Sequence, residues 1–383
     1  MPEGAPIDYA ALYERREPLL RRAFSRLGGA EAQSVRDFAA ANPWLGEYAL
    51  YRALKARFGQ TAWFDWPDKD LLNHDPAALA ARQELAEDIA FHQAVQFWFF
   101  SQWKALKDHA NGLGVRIIGD LPIYVSLDSA DVWSERREFL LDKAGRPSRV
   151  AGVPPDYFSE EGQLWGNPLY DWAAQKRDGF GWWIRRVGGA SRLFDAIRID
   201  HFRAFERYWS IPAGAETAKE GQWEPGPGMD LLRVLTGWFP HITYIAEDLG
   251  LLTPEVHQLR EAAGLPGMKV LEFAFSGPDN AYLPHQYPDS HCICYTGTHD
   301  NDTAAGWYAS AAPQEKAYAR KYLGVEQDDA QTVCRALLRA GQGSIAELFV
   351  AQMQDYLGLG SEARVNVPGV PRGNWSWRME PGK

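Results

Sequence analysis

The sequence contains little cysteine, no excess of basic residues and no long apolar run. Three cysteines in 383 residues are too few for a disulfide scaffold and lack the spacing of a zinc site. Basic residues number 40 against 50 acidic ones, which argues against nucleic acid as the partner. The most apolar stretch, 97–100, is far shorter than the ~20 residues of a membrane span, and residues 1–10 do not resemble a secretory signal. These deficits predict a cytoplasmic protein that binds neither nucleic acid nor a membrane.

Aromatic residues are abundant, with 16 Trp, 16 Tyr and 18 Phe. Many lie beside Gly, Pro, Asn or Asp rather than in periodic apolar runs, as in segments 165–168, 306–308 and 374–377. Loop aromatics of this kind suit flat, hydroxyl-covered ligands such as sugars, whose ring faces stack while their rims form hydrogen bonds. Core anchoring of long loops explains about half of these aromatics equally well.

Two sequence patterns divide the chain. Apolar spacings of three and four predict a mainly helical subdomain over residues 1–112. Over residues 113–383, short apolar strands alternate with helical or irregular stretches, which is typical of βα units and a parallel sheet. Two stretches rich in Gly and Pro, 151–172 and 211–229, are predicted to be long functional loops. The six predicted strands are 115–121, 195–199, 242–246, 270–275, 292–296 and 345–351, and the composition of the last would also suit a helix.

Acidic residues follow these predicted strands at the point where each strand ends. Asp120, Asp200, Glu247 and Asp300 all lie at such positions. Because the carboxyl ends of the strands in a parallel barrel lie on one face, we expect Asp200, Glu247 and Asp300 to converge on one site. Carboxylates on a barrel face surrounded by aromatics are typical of glycosyl chemistry. There, a carboxyl separation of about 5 to 5.5 Å gives retention and about 6.5 to 9.5 Å gives inversion.

Arg198 and Asp200 are two residues apart on one predicted strand, so their side chains should share one side of the sheet. A guanidinium favours the ionised carboxylate that a nucleophile requires, although an ion pair that only fastens the sheet explains the spacing as well. Glu247 follows an apolar run, where partial desolvation favours the protonated form that a general acid needs. Asp248 beside it should point elsewhere and could cap the next helix.

The run from His299 to Asp302 is the segment that most suggests a metal site. Adjacent side chains on a strand diverge, however, and no further His lies at helical spacing, so we expect no metal. Cys292 and Cys294 share one face of a predicted strand and are expected to be buried strand residues.

Six motifs, in consistent order from about Asp8 to Arg378, resemble those of the 4-alpha-glucanotransferases called amylomaltases or disproportionating enzymes. The motifs are GDLPIYVSLDSADVW (119–133), AGVPPDYFSEEGQLWGNPLYDW (151–172), RIDHFRAFERYWSIPAG (198–214), AEDLG (246–250), TGTHDNDT (296–303) and NVPGVPRGNWSWR (366–378). The resemblance implies a (β/α)8 barrel of the α-amylase superfamily that acts by double displacement and needs no organic cofactor or essential metal. The implied partners are malto-oligosaccharides and other α-1,4-glucans derived from starch or glycogen.

Carried over to the matching positions, the resemblance implies three catalytic residues. Asp200 would be the nucleophile, Glu247 the general acid and base, and Asp300 the transition-state stabiliser. Six further residues would surround the sugar or cover the site: Asp120, Arg198 and His299 near the scissile bond, and Gln163, Trp165 and Asn366 on the acceptor side.

The sequence departs from the family pattern in three places. Val370 stands where Thr is usual, nothing before Asp8 resembles the first two strand units of the family, and the closing helix beyond Arg378 is missing. The expected fold is therefore an α/β barrel of (β/α)8 type that lacks its first two βα units and carries a helical insertion. Two alternatives to an active transferase follow: a truncated, weak or inactive glucan-binding fragment, and an α-glucan hydrolase of the same superfamily. Motifs 162–168 and 373–378 favour a transferase over a hydrolase.

Overall fold

A computed structural model describes residues 4–72, 77–155, 159–250, 252–370 and 372–382. The chain divides into two compact units. The C-terminal unit contains the described residues of Met1–Tyr13, Ile245–Leu249 and Gly264–Lys383, and the N-terminal unit contains those of Glu14–Tyr244 and Gly250–Ala263. No helix in the described ranges is long and apolar enough to cross a membrane.

The region from Tyr9 to Gly112 consists of helices and short turns. Its helices are α1 (Tyr9–Phe24), α2 (Gly29–Ala41), α3 (Trp44–Arg57), α4 (Lys69–Leu72), α5 (Ala77–Glu84) and α6 (Ala86–Gly112). Helix α3 lies at the centre of this region, since Leu45, Leu50 and Leu54 are completely buried along it. Helical content over this stretch agrees with the apolar spacing, whereas a domain boundary after residue 112 stays a prediction.

Helices and strands are interspersed over the rest of the chain. The strands are β1 (Ile118–Leu121), β2 (Arg149–Val153), β3 (Gln163–Pro168), β4 (Ala196–Ile199), β5 (Arg207–Pro212), β6 (Gln222–Pro225), β7 (Thr243–Ala246), β8 (Gly267–Val270), β9 (Cys292–Tyr295) and β10 (Leu348–Val350). The helices are α7 (Ala130–Ser134), α8 (Trp172–Arg177), α9 (Gly181–Leu193), α10 (Gly228–Trp238), α11 (Pro254–Ala262), α12 (Ala304–Ser310), α13 (Pro313–Leu323), α14 (Ala330–Gln342) and α15 (Met353–Tyr356). The chain therefore has an α/β fold.

Parallel strands run through both units. In the N-terminal unit, β1 pairs with β4 in a register that sets Asp120 opposite Arg198. In the C-terminal unit, β9 lies between β8 and β10 and is parallel to both. Helices α12, α13 and α14 connect β9 to β10, and the buried Val333 and Leu337 of α14 belong to the same core cluster as Cys294 of β9. Parallel strands joined by such helices end at one edge of their sheet, so the residues that follow β8, β9 and β10 belong to that edge.

The prediction of two long loops was partly wrong. Residues 151–172 and 211–229 contribute instead to a four-stranded antiparallel sheet in the order β3-β2-β5-β6. These strands were not predicted because they contain Gly and Pro, which are typical of loops. Glycine is needed there because the backbones of neighbouring strands approach closely. A Cβ on Gly152 would lie 2.2 Å from the Gln163 carbonyl oxygen. Residues 156–158 of the first predicted loop lie outside the described residues.

The fourth predicted strand, 270–275, was also wrong. The strand is Gly267–Val270, and Leu271–Phe273 forms a 3-10 turn. The apolar run misled the prediction because this turn is itself buried, with Leu271 fully buried and Glu272 only 7% exposed. The other five strands are present, each shorter than predicted, and the last, Leu348–Val350, is a strand rather than a helix.

Candidate active site

In the N-terminal unit, a buried arginine joins two carboxylates at the ends of β1 and β4. The Arg198 Nη1 atom donates to Asp120 Oδ1 at 2.7 Å and to Asp200 Oδ1 at 3.0 Å. The Arg198 side chain is 10% exposed, whereas Asp120 and Asp200 are 40% and 37% exposed. The prediction that Arg198 and Asp200 share one side of the sheet is therefore confirmed. Charge-assisted hydrogen bonds from this buried guanidinium fix the orientation of both carboxylates.

The chain turns sharply after Asp200. The Asp200 N–H still donates to the Leu121 carbonyl at 3.1 Å, but His201 adopts a left-handed φ of 50°, and Phe202–Phe205 forms a buried 3-10 turn. Burial, with a smaller contribution from the Arg203 charge, lowers the pKa of His201 to about 4. His201 is therefore neutral at neutral pH. His201 was not predicted as a site residue, because nothing in the motif reveals a left-handed turn.

The antiparallel sheet brings two of the predicted binding residues next to this turn. The Trp165 ring on β3 meets the His201 ring edge-on, with centroids 4.9 Å apart. The Trp165 Nε1 atom donates to Gln163 Oε1 at 3.1 Å. Trp165 is 37% exposed, so part of its ring face is open to a ligand. The structure thus brings Gln163 and Trp165 beside the residue that follows Asp200.

In the C-terminal unit, Asp300 lies in a loop after β9 and is held by the segment 364–366. The Asn366 Nδ2 atom donates to Asp300 Oδ1 at 2.6 Å, and Arg364 Nη2 donates to the Asp300 carbonyl at 2.6 Å. The His299 Nε2 atom lies 3.6 Å from Asp300 Oδ1. The structure therefore brings Asp300, His299 and Asn366 together. Arg364 is an additional residue at this position that was not predicted from the sequence.

A strained tryptophan borders the same loop. The rings of Trp375 and His299 have centroids 5.3 Å apart, and Trp375 adopts a left-handed φ of 58°. The Tyr9 hydroxyl donates to the Trp375 carbonyl at 2.7 Å, and the Trp375 N–H donates to the Val365 carbonyl at 2.7 Å. Such non-glycine strain persists only where neighbouring contacts enforce it and is frequent at functional sites. The indole is 49% exposed, which leaves a flat apolar surface beside His299.

Glu247 and Asp248 follow β7 and have different partners. Glu247 Oε1 accepts a hydrogen bond from the Leu249 N–H at 3.1 Å. Asp248 is 8% exposed, and its Oδ1 accepts from the Met268 N–H at 2.7 Å. Asp248 therefore secures the start of β8, and the proposal that it caps the next helix was wrong, because α11 begins after Thr253.

The family model for 4-alpha-glucanotransferase matches residues 2–382. The chain belongs to the 4-alpha-glucanotransferase family. The 4-alpha-glucanotransferase of Thermus thermophilus is 49% identical to it over 392 residues, which cover all of this chain and 78% of that protein. The 4-alpha-glucanotransferase of Streptococcus pneumoniae serotype 4 is 43% identical over 384 residues, covering 98% of this chain and 75% of that protein.

Solved amylomaltase structures share the fold. Amylomaltase from Streptococcus agalactiae in complex with acarbose superposes with a TM-score of 0.94 at 37% identity, covering 98% of this chain and 77% of that one. Amylomaltase from Corynebacterium glutamicum, at 19% identity, gives a TM-score of 0.76. The resemblance deduced from the six sequence motifs is therefore confirmed.

Within this chain, the predicted site residues form one group in each unit. The first group contains Asp120, Gln163, Trp165, Arg198 and Asp200, and the second contains His299, Asp300 and Asn366. Glu247 follows β7 in the C-terminal unit. The convergence of Glu247, Asp200 and Asp300 on one site stays a prediction.

Asp248 offers a test of stability that is separate from the chemistry of the site. We expect Asp248→Ala to lower the free energy of unfolding by about 1–3 kcal/mol, because it leaves the buried Met268 N–H without this acceptor. Asp248→Asn, which keeps an acceptor oxygen, should lose less. Urea unfolding at pH 7 measures both values. Equal stability of Asp248→Ala and the wild type would show that this hydrogen bond does not stabilise the fold.

Among the described residues, no group of three or more His, Cys, Asp and Glu side chains is placed to hold a metal ion. The three cysteines are free and buried. Burial raises the pKa of the Cys292 thiol to about 11, and that of Cys334 to about 12. The interpretation of Cys292 and Cys294 as buried strand residues is confirmed, and neither is poised to react as a thiolate.

Proposed function

We propose that this chain transfers α-1,4-glucan segments between malto-oligosaccharides by a retaining double displacement. Its parallel strands belong to a (β/α)8-type barrel, and its site is formed by residues at their carboxyl ends. Asp200 is the nucleophile, Glu247 is the general acid and base, and Asp300 stabilises the transition state. Family membership over residues 2–382 supports this activity and disfavours an inactive fragment.

The reaction takes place in two steps on the same carboxylates. Glu247 protonates the glycosidic oxygen that leaves, while an Asp200 oxygen bonds to the anomeric carbon and the carbon–oxygen bond of the donor breaks. The 4-hydroxyl of an acceptor glucan then gives its proton to Glu247 and displaces Asp200. Each step inverts the anomeric carbon, so the α-configuration is retained.

The observation that carries the proposal is the Arg198 bridge between Asp120 and Asp200. A nucleophilic carboxylate must be correctly oriented, and Arg198 Nη1 holds Asp200 Oδ1 at 3.0 Å. Asp120 accepts from the same nitrogen and remains 40% exposed, which leaves its second oxygen available for a sugar hydroxyl. A bridge that only fastened the sheet would not require two carboxylates this exposed.

The Asp300 loop supplies the electrostatic part of the mechanism. An oxocarbenium-like transition state carries positive charge, and a carboxylate that is already oriented stabilises it without reorganising. Asn366 and Arg364 hold the carboxylate and the carbonyl of Asp300. His299 lies beside Asp300 and serves as a hydrogen-bond partner for the same sugar.

Aromatic residues explain why transfer would be favoured over hydrolysis. A sugar in the acceptor site must exclude water, and the exposed indole of Trp165 provides a flat apolar surface for it. Gln163 orients the Trp165 indole through its Oε1 atom. The expected partners are malto-oligosaccharides and glucans derived from starch or glycogen, without a cofactor or metal, in the cytoplasm.

Incubation with maltotriose tests this function directly. We expect free glucose together with a ladder of longer oligomers, since each donor loses a glucan segment that an acceptor receives. Chromatography of the products measures the ladder, and the Asp200→Ala variant is the matched control. Glucose and maltose alone would assign a hydrolase, and an unchanged substrate would assign a glucan-binding chain without activity.

A further inference from the structure

A buried glutamate lies beneath the loop that carries Asp300. Glu272 is 7% exposed in the 3-10 turn that follows β8, and its N–H donates to the Thr296 carbonyl at 3.2 Å. In the described part of the chain, Glu272 Oε1 has no hydrogen-bond partner. A Cβ on Gly297 would lie 2.6 Å from that oxygen. The carboxyl group therefore packs directly against the first residue of the loop 297–302.

The same loop is fastened from several sides. Asn301 Oδ1 accepts from the Thr298 N–H at 2.9 Å and from its hydroxyl at 2.8 Å, so the Asn301 amide nitrogen is the part left to donate to Glu272. The Asp300 N–H donates to the Thr298 hydroxyl at 3.2 Å. Gln352 Nε2 donates to the Thr298 carbonyl at 3.2 Å. Glu272, Asn301, Thr298 and Asp300 are thus connected through adjacent contacts.

We propose that Glu272 is a positioning residue whose buried carboxyl group, acting through Gly297 and Asn301, holds the loop 297–302 and thereby the Asp300 carboxylate. This inference rests on the proposed role of Asp300 as transition-state stabiliser. Glu272 itself touches no reacting atom in this mechanism. Its effect is the fixed geometry of a neighbour, and misplacing a catalytic group by about 1 Å costs as much as 10²-fold in rate.

Glu272 performs this role as a neutral acid. Within the described ranges, four titratable groups face Glu272. They are Asp302 in the loop, Asp355 on α15, Cys334 on α14 and Arg364 in the segment 364–366. Burial, and then the charges of Asp355 and Asp302, raise the pKa of Glu272 well above its usual range, against smaller opposing effects of Arg364 and Asn301. A charged carboxylate with one oxygen unpartnered would be costly in this position.

The protonation state gives a test that needs no activity. The unfolded chain ionises a glutamate above a pH of about 4.3, whereas folded Glu272 keeps its proton, so folding stability falls as pH rises through this window. The neutral variant Glu272→Gln should therefore unfold at a higher temperature than the wild type at pH 8, with a smaller difference at pH 4. Glu347→Gln is the control, because Glu347 is exposed and paired with His291. If Glu272→Gln had a lower melting temperature than the wild type at pH 8, Glu272 would not be a neutral acid in the folded chain.

Steady-state kinetics with maltotriose tests the positioning. We expect Glu272→Ala to lower kcat by about 10- to 100-fold with KM changed by less than about two-fold, while Glu272→Gln and Glu347→Gln keep kcat within about two-fold. Wild-type kcat in Glu272→Ala would overturn the role. So would an equal loss in Glu272→Gln and Glu272→Ala.

Hydrogen exchange separates this inference from the proposed function. In Glu272→Ala, amides of residues 297–302 should exchange faster than in the wild type, and they should be unchanged in Glu272→Gln. Unchanged exchange in Glu272→Ala would overturn the positioning role even if transfer is observed. If the wild type transfers no glucan, the proposed function fails, while exchange still reports whether Glu272 holds the loop. If Glu272→Ala does not fold, exchange and kinetics of Glu272→Asp replace it, since a side chain shorter by one methylene should also loosen the loop.

Discussion

Replacing Asp200 by Ala is expected to lower glucan transfer by at least about 10⁴-fold, because removal of a catalytic nucleophile costs effects of this order. Without its carboxylate, the proposed covalent glycosyl-enzyme cannot form. Arg198 keeps its hydrogen bond to Asp120 at 2.7 Å, so the site retains one of its two ion pairs. Initial rates of oligomer formation from maltotriose measure the loss. Wild-type rates in this variant would remove Asp200 from the mechanism.

A chemical rescue distinguishes a nucleophile from a residue that only shapes the site. With an α-maltosyl fluoride donor and azide, Asp200→Ala should form a maltosyl azide. Azide attacks the anomeric carbon from the vacated side, the carbon–fluorine bond breaks, and the product has the β-configuration. Asp200→Asn is the matched control, because its amide fills the space and should block azide. An α-configured product, or equal rescue of both variants, would contradict the nucleophile assignment.

Replacing Glu247 by Gln should lower transfer between malto-oligosaccharides by about 10²- to 10⁴-fold, the usual contribution of general acid–base catalysis. The amide can neither protonate the leaving oxygen nor accept the proton of the incoming 4-hydroxyl. It can still accept a hydrogen bond from the Leu249 N–H, so the local structure should survive. Activity assays with maltotriose, and circular dichroism for folding, measure the two parts.

The choice of donor isolates the acid step of Glu247. Fluoride leaves without protonation, so an α-maltosyl fluoride donor should restore the first step in Glu247→Gln and release a burst of fluoride before slow turnover. Asp248→Asn is the matched control, because this neighbouring carboxylate bonds to the Met268 N–H and has no role in the chemistry. An equal loss with maltotriose and with the fluoride would argue against Glu247 as the acid.

Strands whose side chains follow a regular period of two could be predicted from the sequence. The period of two placed Arg198 and Asp200 on one side of β4, and the structure agrees. The strand before Glu272 could not be placed, since the apolar residues of 270–275 fill a buried turn rather than a strand. The antiparallel sheet was not predicted. Its backbones approach so closely at Gly152 that only glycine fits there, and glycine is usually a sign of a loop.

The candidate site was predictable as a list of residues but not as a set of contacts. Asp120 is the second partner of Arg198 because the register of β1 against β4 sets the two residues opposite each other. Sequence spacing alone does not determine this register. The left-handed turn at His201 has no sequence signal here. Glu272 does have a sequence signal, because a lone acid inside an otherwise apolar run is costly to bury. The signal indicates a polar contact, but only the structure identifies the partner.

Adjacent carboxylates at the end of β7 have separate duties, and this limits how the chain can change there. Asp248 reaches over Gly267, where any Cβ would meet its Oδ2 at 2.3 Å, while Glu247 lies one residue earlier. A slip of one residue along β7 would place Glu247 where Asp248 now lies and would move the Glu247 carboxylate away from its present position. An insertion or deletion within Thr243–Ala246 would therefore leave the Met268 N–H facing a different side chain.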